Sequence, residues 1–117
     1  MQPVHQSQHG PSIDREALQA KIAAGRTFKL VMAASEFGFR AKHIPGSIHF
    51  DVHGGDVSTL AKDDDIVVYC SNIDCIASKA LIKKLVELGY RNVAHYAGGL
   101  IDWEAAGLPV EGDWAAG

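Results

Sequence analysis

The chain has only two cysteines in 117 residues. Two cannot build the disulfide framework that staples small secreted domains, so their role is chemical or incidental. Neither sign of charge is in much excess: eleven Lys and Arg stand against fourteen Asp and Glu, a net charge of −3. That balance offers no general reason to bind nucleic acid or an anionic lipid surface. No apolar run approaches the ~18 residues that a membrane span needs. The first residues also lack the basic-then-apolar layout of a secretory signal. These absences set the expectation of a cytoplasmic protein with no membrane or nucleic-acid partner. What is present, 47% hydrophobic and 21% charged residues, suits an ordinary globular domain with one core.

The most informative stretch runs from Asp65 to Lys79. Ile66, Val67, Val68 and Tyr69 form an unbroken β-branched and aromatic run, the pattern of a strand buried on both faces. The run stops at Cys70. A helical pattern soon follows, with Ala77, Leu81, Leu85 and Leu88 on one face and Lys79, Lys83, Lys84 and Glu87 off it. A cysteine therefore sits where a buried strand turns into a helix N-terminus. Ligands of open α/β sheets bind outside the carboxyl ends of the strands. The free N–H groups and positive dipole end of a helix favour an anion there, a thiolate included. Such surroundings lower a thiol pKa from ~8.5 to between roughly 3.5 and 7.5. The alternative for either cysteine is an inert, buried side chain.

Elsewhere the chain reads as alternating helices and strands. Residues 1–11 are Gln- and His-rich without apolar periodicity, the expectation being a disordered tail. Asp14 is placed to cap a helix carrying Ala17, Leu18 and Ile22 on one face, and Gly25 to stop it. Thr27 to Met32 reads as a strand. Ala33 to Lys42 reads as a short amphipathic helix, with Phe37 and Phe39 available for burial. Pro45-Gly46 marks a turn before a short strand, Ser47 to Phe50. His43 and His49 are expected to bond loop carbonyls, since no ligand cluster accompanies them. Asp63-Asp64-Asp65 lacks the alternating ligands and glycine of a calcium loop and is expected to be a solvated turn. Gly89 caps the central helix, Val93 to Tyr96 forms another strand, and Gly98-Gly99 leads into a last helix. There Leu100, Trp103 and Ala106 should face the core, and Gly107 and Pro109 end it. Alternation of this kind implies a parallel sheet flanked by helices.

Three passages in this order and spacing resemble the rhodanese-like, single-domain sulfurtransferase family. They are His43-Ile44-Pro45-Gly46-Ser47-Ile48, then Ile66-Val67-Val68-Tyr69-Cys70, then Leu88-Gly89-Tyr90-Arg91-Asn92-Val93 running on to Gly98-Gly99-Leu100-Ile101-Asp102-Trp103. Ala106-Gly107-Leu108-Pro109-Val110 completes the pattern. The resemblance implies a three-layer α/β fold with a central parallel sheet of about five strands. The domain should span 12–112, with a C-terminal tail at 113–117. It further implies that Cys70 carries sulfane sulfur as a persulfide and passes it to a thiol or cyanide acceptor, with no cofactor and no metal. Ser71, Asn72, Ile73, Asp74, Cys75 and Ile76 match the loop whose backbone N–H groups cradle the sulfur or its anionic donor.

The departures from the family pattern have physical consequences. A basic residue is common where this chain has Cys75, and a glycine where it has Ile73. The loop holds no Lys or Arg and carries Asp74. A dianion such as thiosulfate thereby loses attraction worth on the order of 1 to 4 kcal/mol per missing close charge. Weak activity with thiosulfate, and a preference for a protein or small-molecule persulfide donor, is the expectation. The family's Asp-x-Arg after the first strand is replaced by Met32-Ala33-Ala34. Cys75 is a candidate resolving thiol, able to attack a Cys70 persulfide if the two Cα atoms come within about 7 Å. A second reading is a non-catalytic or redox-sensing module that uses Cys70 and Cys75. A third, phosphatase or arsenate-reductase chemistry on this fold, calls for a longer loop ending in Arg, and neither feature is here.

Overall fold

In the computed structural model, residues 12–25, 28–51, 57, 60–71 and 76–114 are described. The element order is α1 (Arg15–Ala23), β1 (Lys29–Ala34), α2 (Glu36–Ala41), β2 (Ile48–Asp51), β3 (Asp65–Tyr69), α3 (Ile76–Glu87), β4 (Asn92–Tyr96) and α4 (Gly99–Ala105). The strands form one parallel sheet in the order β2-β1-β3-β4. Parallel neighbours need crossover connections, which the helices supply on both faces. Four strands are present among the described residues, against an expected count of about five; the three-layer α/β arrangement stands.

Burial explains the pattern of each strand. β3 lies between β1 and β4, and Ile66, Val67, Val68 and Tyr69 have no exposed surface. Each such side chain contributes roughly 1.5 to 3 kcal/mol relative to exposure. Alternate residues feed two clusters. Ile66, Val68, Val31 and Ala33 pack with Leu81, Ile82 and Leu85 of α3 on one face. Val67, Tyr69, Leu30 and Met32 pack with Leu18 of α1 and Leu100 and Trp103 of α4 on the other. That is the two-sided burial expected of a central parallel strand.

Several local expectations hold. The Asp14 carboxylate accepts the Ala17 N–H at 2.8 Å, capping α1. His43 Nδ1 lies 2.8 Å from the Phe39 carbonyl and His49 Nε2 lies 2.8 Å from that of Ala34, so both histidines engage carbonyls as expected, but those of α2 and β1 rather than of a loop. Trp103 is core, with its Nε1–H donating to the Pro109 carbonyl at 2.8 Å.

Others are corrected. The first strand begins at Lys29, two residues later than read, because the register with Ile66 starts there. In α1 only Leu18 is buried, and Ile22 is 40% exposed, since this short helix touches the core along a narrow line. Phe39 packs against the core but Phe37 is 66% exposed and meets Trp114 edge to face at 5.2 Å. Ala106 is exposed beyond the end of α4. The acidic triplet is more than a solvated turn: Asp63, Asp64 and Asp65 pair with Arg91, Lys29 and Lys21. Asp113 and Trp114, read as tail, donate backbone N–H groups to the carbonyls of Arg40 and Ala41 at the end of α2.

Candidate functional site

Cys70 is the first residue beyond β3, at the carboxyl end of the sheet. Its main chain is held by the start of α4. The Leu100 N–H donates to the Cys70 carbonyl and the Ile101 N–H to that of Ser71, both at 2.8 Å. These are helix N-terminal amides, which have no intrahelical partner and so are free to clamp a neighbouring turn. Glycine at position 98 makes the clamp compatible with Asp102, because a Cβ there would lie 2.8 Å from the Asp102 Cβ. Gly99 takes the left-handed conformation, φ 69°, that lets β4 turn into the helix.

Two tyrosines flank this end of the sheet, and both engage polar partners. The Tyr69 hydroxyl accepts the Ile44 N–H at 2.9 Å and lies 2.6 Å from the Ser47 hydroxyl. Burial pushes its pKa up to about 12, partly opposed by those two hydrogen bonds. Tyr96 donates to Asp102 at 2.6 Å, and Asp102 in turn pairs with Arg15 at 2.9 Å. Burial raises the Tyr96 pKa well above the ordinary phenol value; the bond to Asp102 and that carboxylate's charge push the same way, and Arg15 opposes them. On the α3 side, Ser78 in the first turns of the helix lies 3.0 Å from His95 Nε2 of β4, both side chains buried. His95 is in register with Val68, two residues before Cys70.

The sequence-derived site is placed in part. Cys70 is 4% exposed and disulfide-bonded. Cys75 is the chain's other cysteine. It lies outside the described residues, as do Asn72, Ile73 and Asp74. Ser71 is exposed, and Ile76, the first residue of α3, is 78% exposed. The clamp from Leu100 and Ile101, the Tyr69–Ser47–Ile44 knot and the Ser78–His95 pair were not foreseen. Only Gly98-Gly99 hinted at one of them, since paired glycines mark a close backbone approach. Among the described residues no group of three or more His, Cys, Asp or Glu could hold a metal ion. None of their helices is long and apolar enough to cross a membrane.

A family model for the rhodanese-like domain matches residues 14–106 of this chain. The chain belongs to the rhodanese-like domain family. It is 30% identical over 102 residues to an HTH-type transcriptional regulator of Mycobacterium tuberculosis, covering 86% of this chain and 44% of that one. It thus spans less than half of that relative's length. It is 29% identical over 100 residues to a sulfurtransferase of Allochromatium vinosum, covering 84% of this chain and 92% of that one. Among solved structures it resembles a Bacillus halodurans protein with a TM-score of 0.80 at 25% identity, over 95% of this chain and 83% of the other. It shares its fold with a thiosulfate sulfurtransferase of Pseudomonas aeruginosa: TM-score 0.75, 23% identity, 93% of this chain and 21% of that one. Membership of the rhodanese-like family and the sulfurtransferase relative support a sulfurtransferase-family role.

Proposed function

We propose that this rhodanese-like domain moves sulfane sulfur through a persulfide on Cys70. The observation that carries the reading is the position of Cys70: directly after the buried central strand, its main chain held by the α4 amides, six residues before α3 begins. In the first half-reaction the reduced Cys70 thiolate attacks the outer sulfur of a donor persulfide. The donor S–S bond breaks, the donor leaves as a thiolate, and Cys70 holds the extra sulfur. In the second, an acceptor thiolate or cyanide attacks that sulfur and Cys70 departs as the thiolate. No electrons are gained or lost over the cycle. The loop from Ser71 to Ile76 supplies backbone N–H donors for the anionic sulfur, and its lack of Lys and Arg disfavours thiosulfate relative to a persulfide.

The test is intact-mass analysis of reduced protein after exposure to glutathione persulfide, with wild type, Cys70→Ser and Cys75→Ser in parallel. A one-sulfur increment on wild type and Cys75→Ser, absent from Cys70→Ser, supports the reading. Sulfur uptake by Cys70→Ser at the wild-type level overturns the nucleophile, and faster turnover with thiosulfate than with the persulfide overturns the donor preference.

The disulfide on Cys70 favours a second reading, a redox-sensing module of the same fold. A protein that cycles between thiol and disulfide but acquires no sulfur from any donor fits that reading instead.

A further inference from the structure

Charge on this molecule is distributed unevenly. Six Lys and Arg side chains pair with carboxylates: Arg15 with Asp102, Lys21 with Asp65, Lys29 with Asp64, Arg40 with Glu36, Lys42 with Glu104 and Arg91 with Asp63. Lys62 donates to the Leu88 carbonyl. Lys79, Lys83 and Lys84 are all on α3, all exposed, and none makes an ion pair among the described residues. The first turn of α3 carries no acidic residue. Lys79, in the first turn, opposes the helix dipole, whereas Lys84, in the last turn, accords with it. Within a chain of net charge −3, the helix that starts after the Cys70 loop thus carries three exposed lysines against one exposed carboxylate, Glu87, at its C-terminal end.

Beside those lysines lies an apolar groove of about 290 Å³, lined by Phe50, Ile76, Ala77, Ala80, Leu81 and Lys84. Ile76, Ala80 and Lys84 follow one another at four-residue intervals and so form one stripe of the helix. Phe50 belongs to β2, the edge strand, and Lys84 Nζ sits 5.9 Å from the centre of its ring. With a rise of about 1.5 Å per residue, the groove and its lysines extend along roughly 12 Å of helix from the active-site loop. The volume is at the small end for small-molecule pockets, which run from roughly 300 to 1,000 Å³. It suits one or two apolar side chains of a larger partner.

From the charge complementarity of this face we infer that the stripe Ile76–Ala80–Lys84, with Lys79 and Lys83 exposed on the same helix, docks an acidic protein segment that presents an apolar anchor and brings its own cysteine to Cys70. The partner is thus a protein sulfur donor or acceptor with carboxylates flanking an aliphatic side chain. Exposed lysines steer such a segment and hold its register, and the groove buries its anchor. The inference takes its purpose from the sulfur-transfer reading; its binding claim stands apart from that reading.

The experiment uses two fluorescein-labelled synthetic peptides. Each has a single cysteine and a leucine; one is otherwise glutamate-rich and the other lysine-rich. Binding to the full chain is followed by fluorescence anisotropy as the Debye length falls from about 30 Å at 0.01 M salt to about 3 Å at 1 M. The expected result is binding of the glutamate peptide at least about tenfold tighter than its lysine twin in low salt. That preference disappears at 1 M salt and in a Lys79→Glu, Lys83→Glu, Lys84→Glu variant. The matching Lys→Gln triple variant, checked by circular dichroism, gives an intermediate preference. Equal affinity for both peptides, or a preference that survives charge reversal, overturns the inference. So does a concentration-dependent dimer that sedimentation detects in wild type and not in the charge-reversed variant, which assigns the face to a second copy. If the acidic peptide binds as expected but neither it nor a small thiol ever receives sulfur, the docking surface stands and the sulfur-transfer reading falls.

Discussion

The Tyr69 hydroxyl and the Ile44 backbone are joined by a 2.9 Å hydrogen bond across the buried centre of the molecule, 25 residues apart in sequence. This bond ties the His43–Ile48 turn to the residue preceding Cys70. The Ser47 hydroxyl completes the knot, 2.6 Å from both the Tyr69 hydroxyl and the Ile44 carbonyl. Replacing Tyr69 by Phe keeps the ring and leaves the buried Ile44 N–H without its acceptor. The expected cost is about 1 to 3 kcal/mol, read as a lower urea midpoint with an unchanged slope. An unaltered midpoint contradicts the structural role given to the hydroxyl.

The same group makes stability fall in alkali. Burial favours the neutral phenol, so the folded pKa of about 12 lies above the ordinary value of 10. A raised folded pKa contributes stability below the unfolded pKa that is lost as pH rises through the folded one. Between about pH 10 and 12 wild type should lose stability on the order of 2 to 3 kcal/mol more than Tyr69→Phe does. Urea titrations of both proteins across that window measure the difference. Parallel curves count against it.

Gly112 holds the last described segment against α2. Its φ is 132°, and a Cβ there would lie 2.4 Å from the Ala41 carbonyl oxygen. Gly112→Ala is expected to cost about 1 to 3 kcal/mol. It should also free Trp114 from the edge-to-face contact with Phe37, raising acrylamide quenching of tryptophan emission while Trp103 stays buried. Wild-type quenching in the variant speaks against the clash.

Disulfide-bonded Cys70 has no thiolate with which to attack the outer sulfur of a donor persulfide. Protein prepared without reductant should take up no sulfur from glutathione persulfide. The same sample, treated with a dithiol that is then removed, should take up one sulfur per chain. Equal uptake by both samples, measured by intact mass, argues against a disulfide-gated site.

Much of this arrangement is legible in the residues because it depends on local periodicity. Ile66 to Tyr69 reads as a doubly buried strand, and of Ala77, Leu81, Leu85 and Leu88, read as one face of a helix, Leu81 and Leu85 are buried while Leu88 lies past the end of α3 and is exposed. Asp14 and Gly89 mark helix ends through hydrogen bonding and positive φ, both properties of single residues. Errors arise where a short element leaves periodicity underdetermined. Six residues of α2 cannot say which of Phe37 and Phe39 faces the core, and the answer comes from the contacts of Trp114.

The position of Cys70 at the end of a central strand, and of three lysines on the outer face of the helix after it, follows from the order of apolar and polar residues alone. The clamp of Leu100 and Ile101 on its main chain, the Tyr69 knot and the buried Ser78–His95 pair belong to the tertiary structure. They join residues 17 to 30 positions apart, and no one-dimensional pattern records which distant donor meets which acceptor. That matching emerges only when burial forces every polar group inside the core to find a partner.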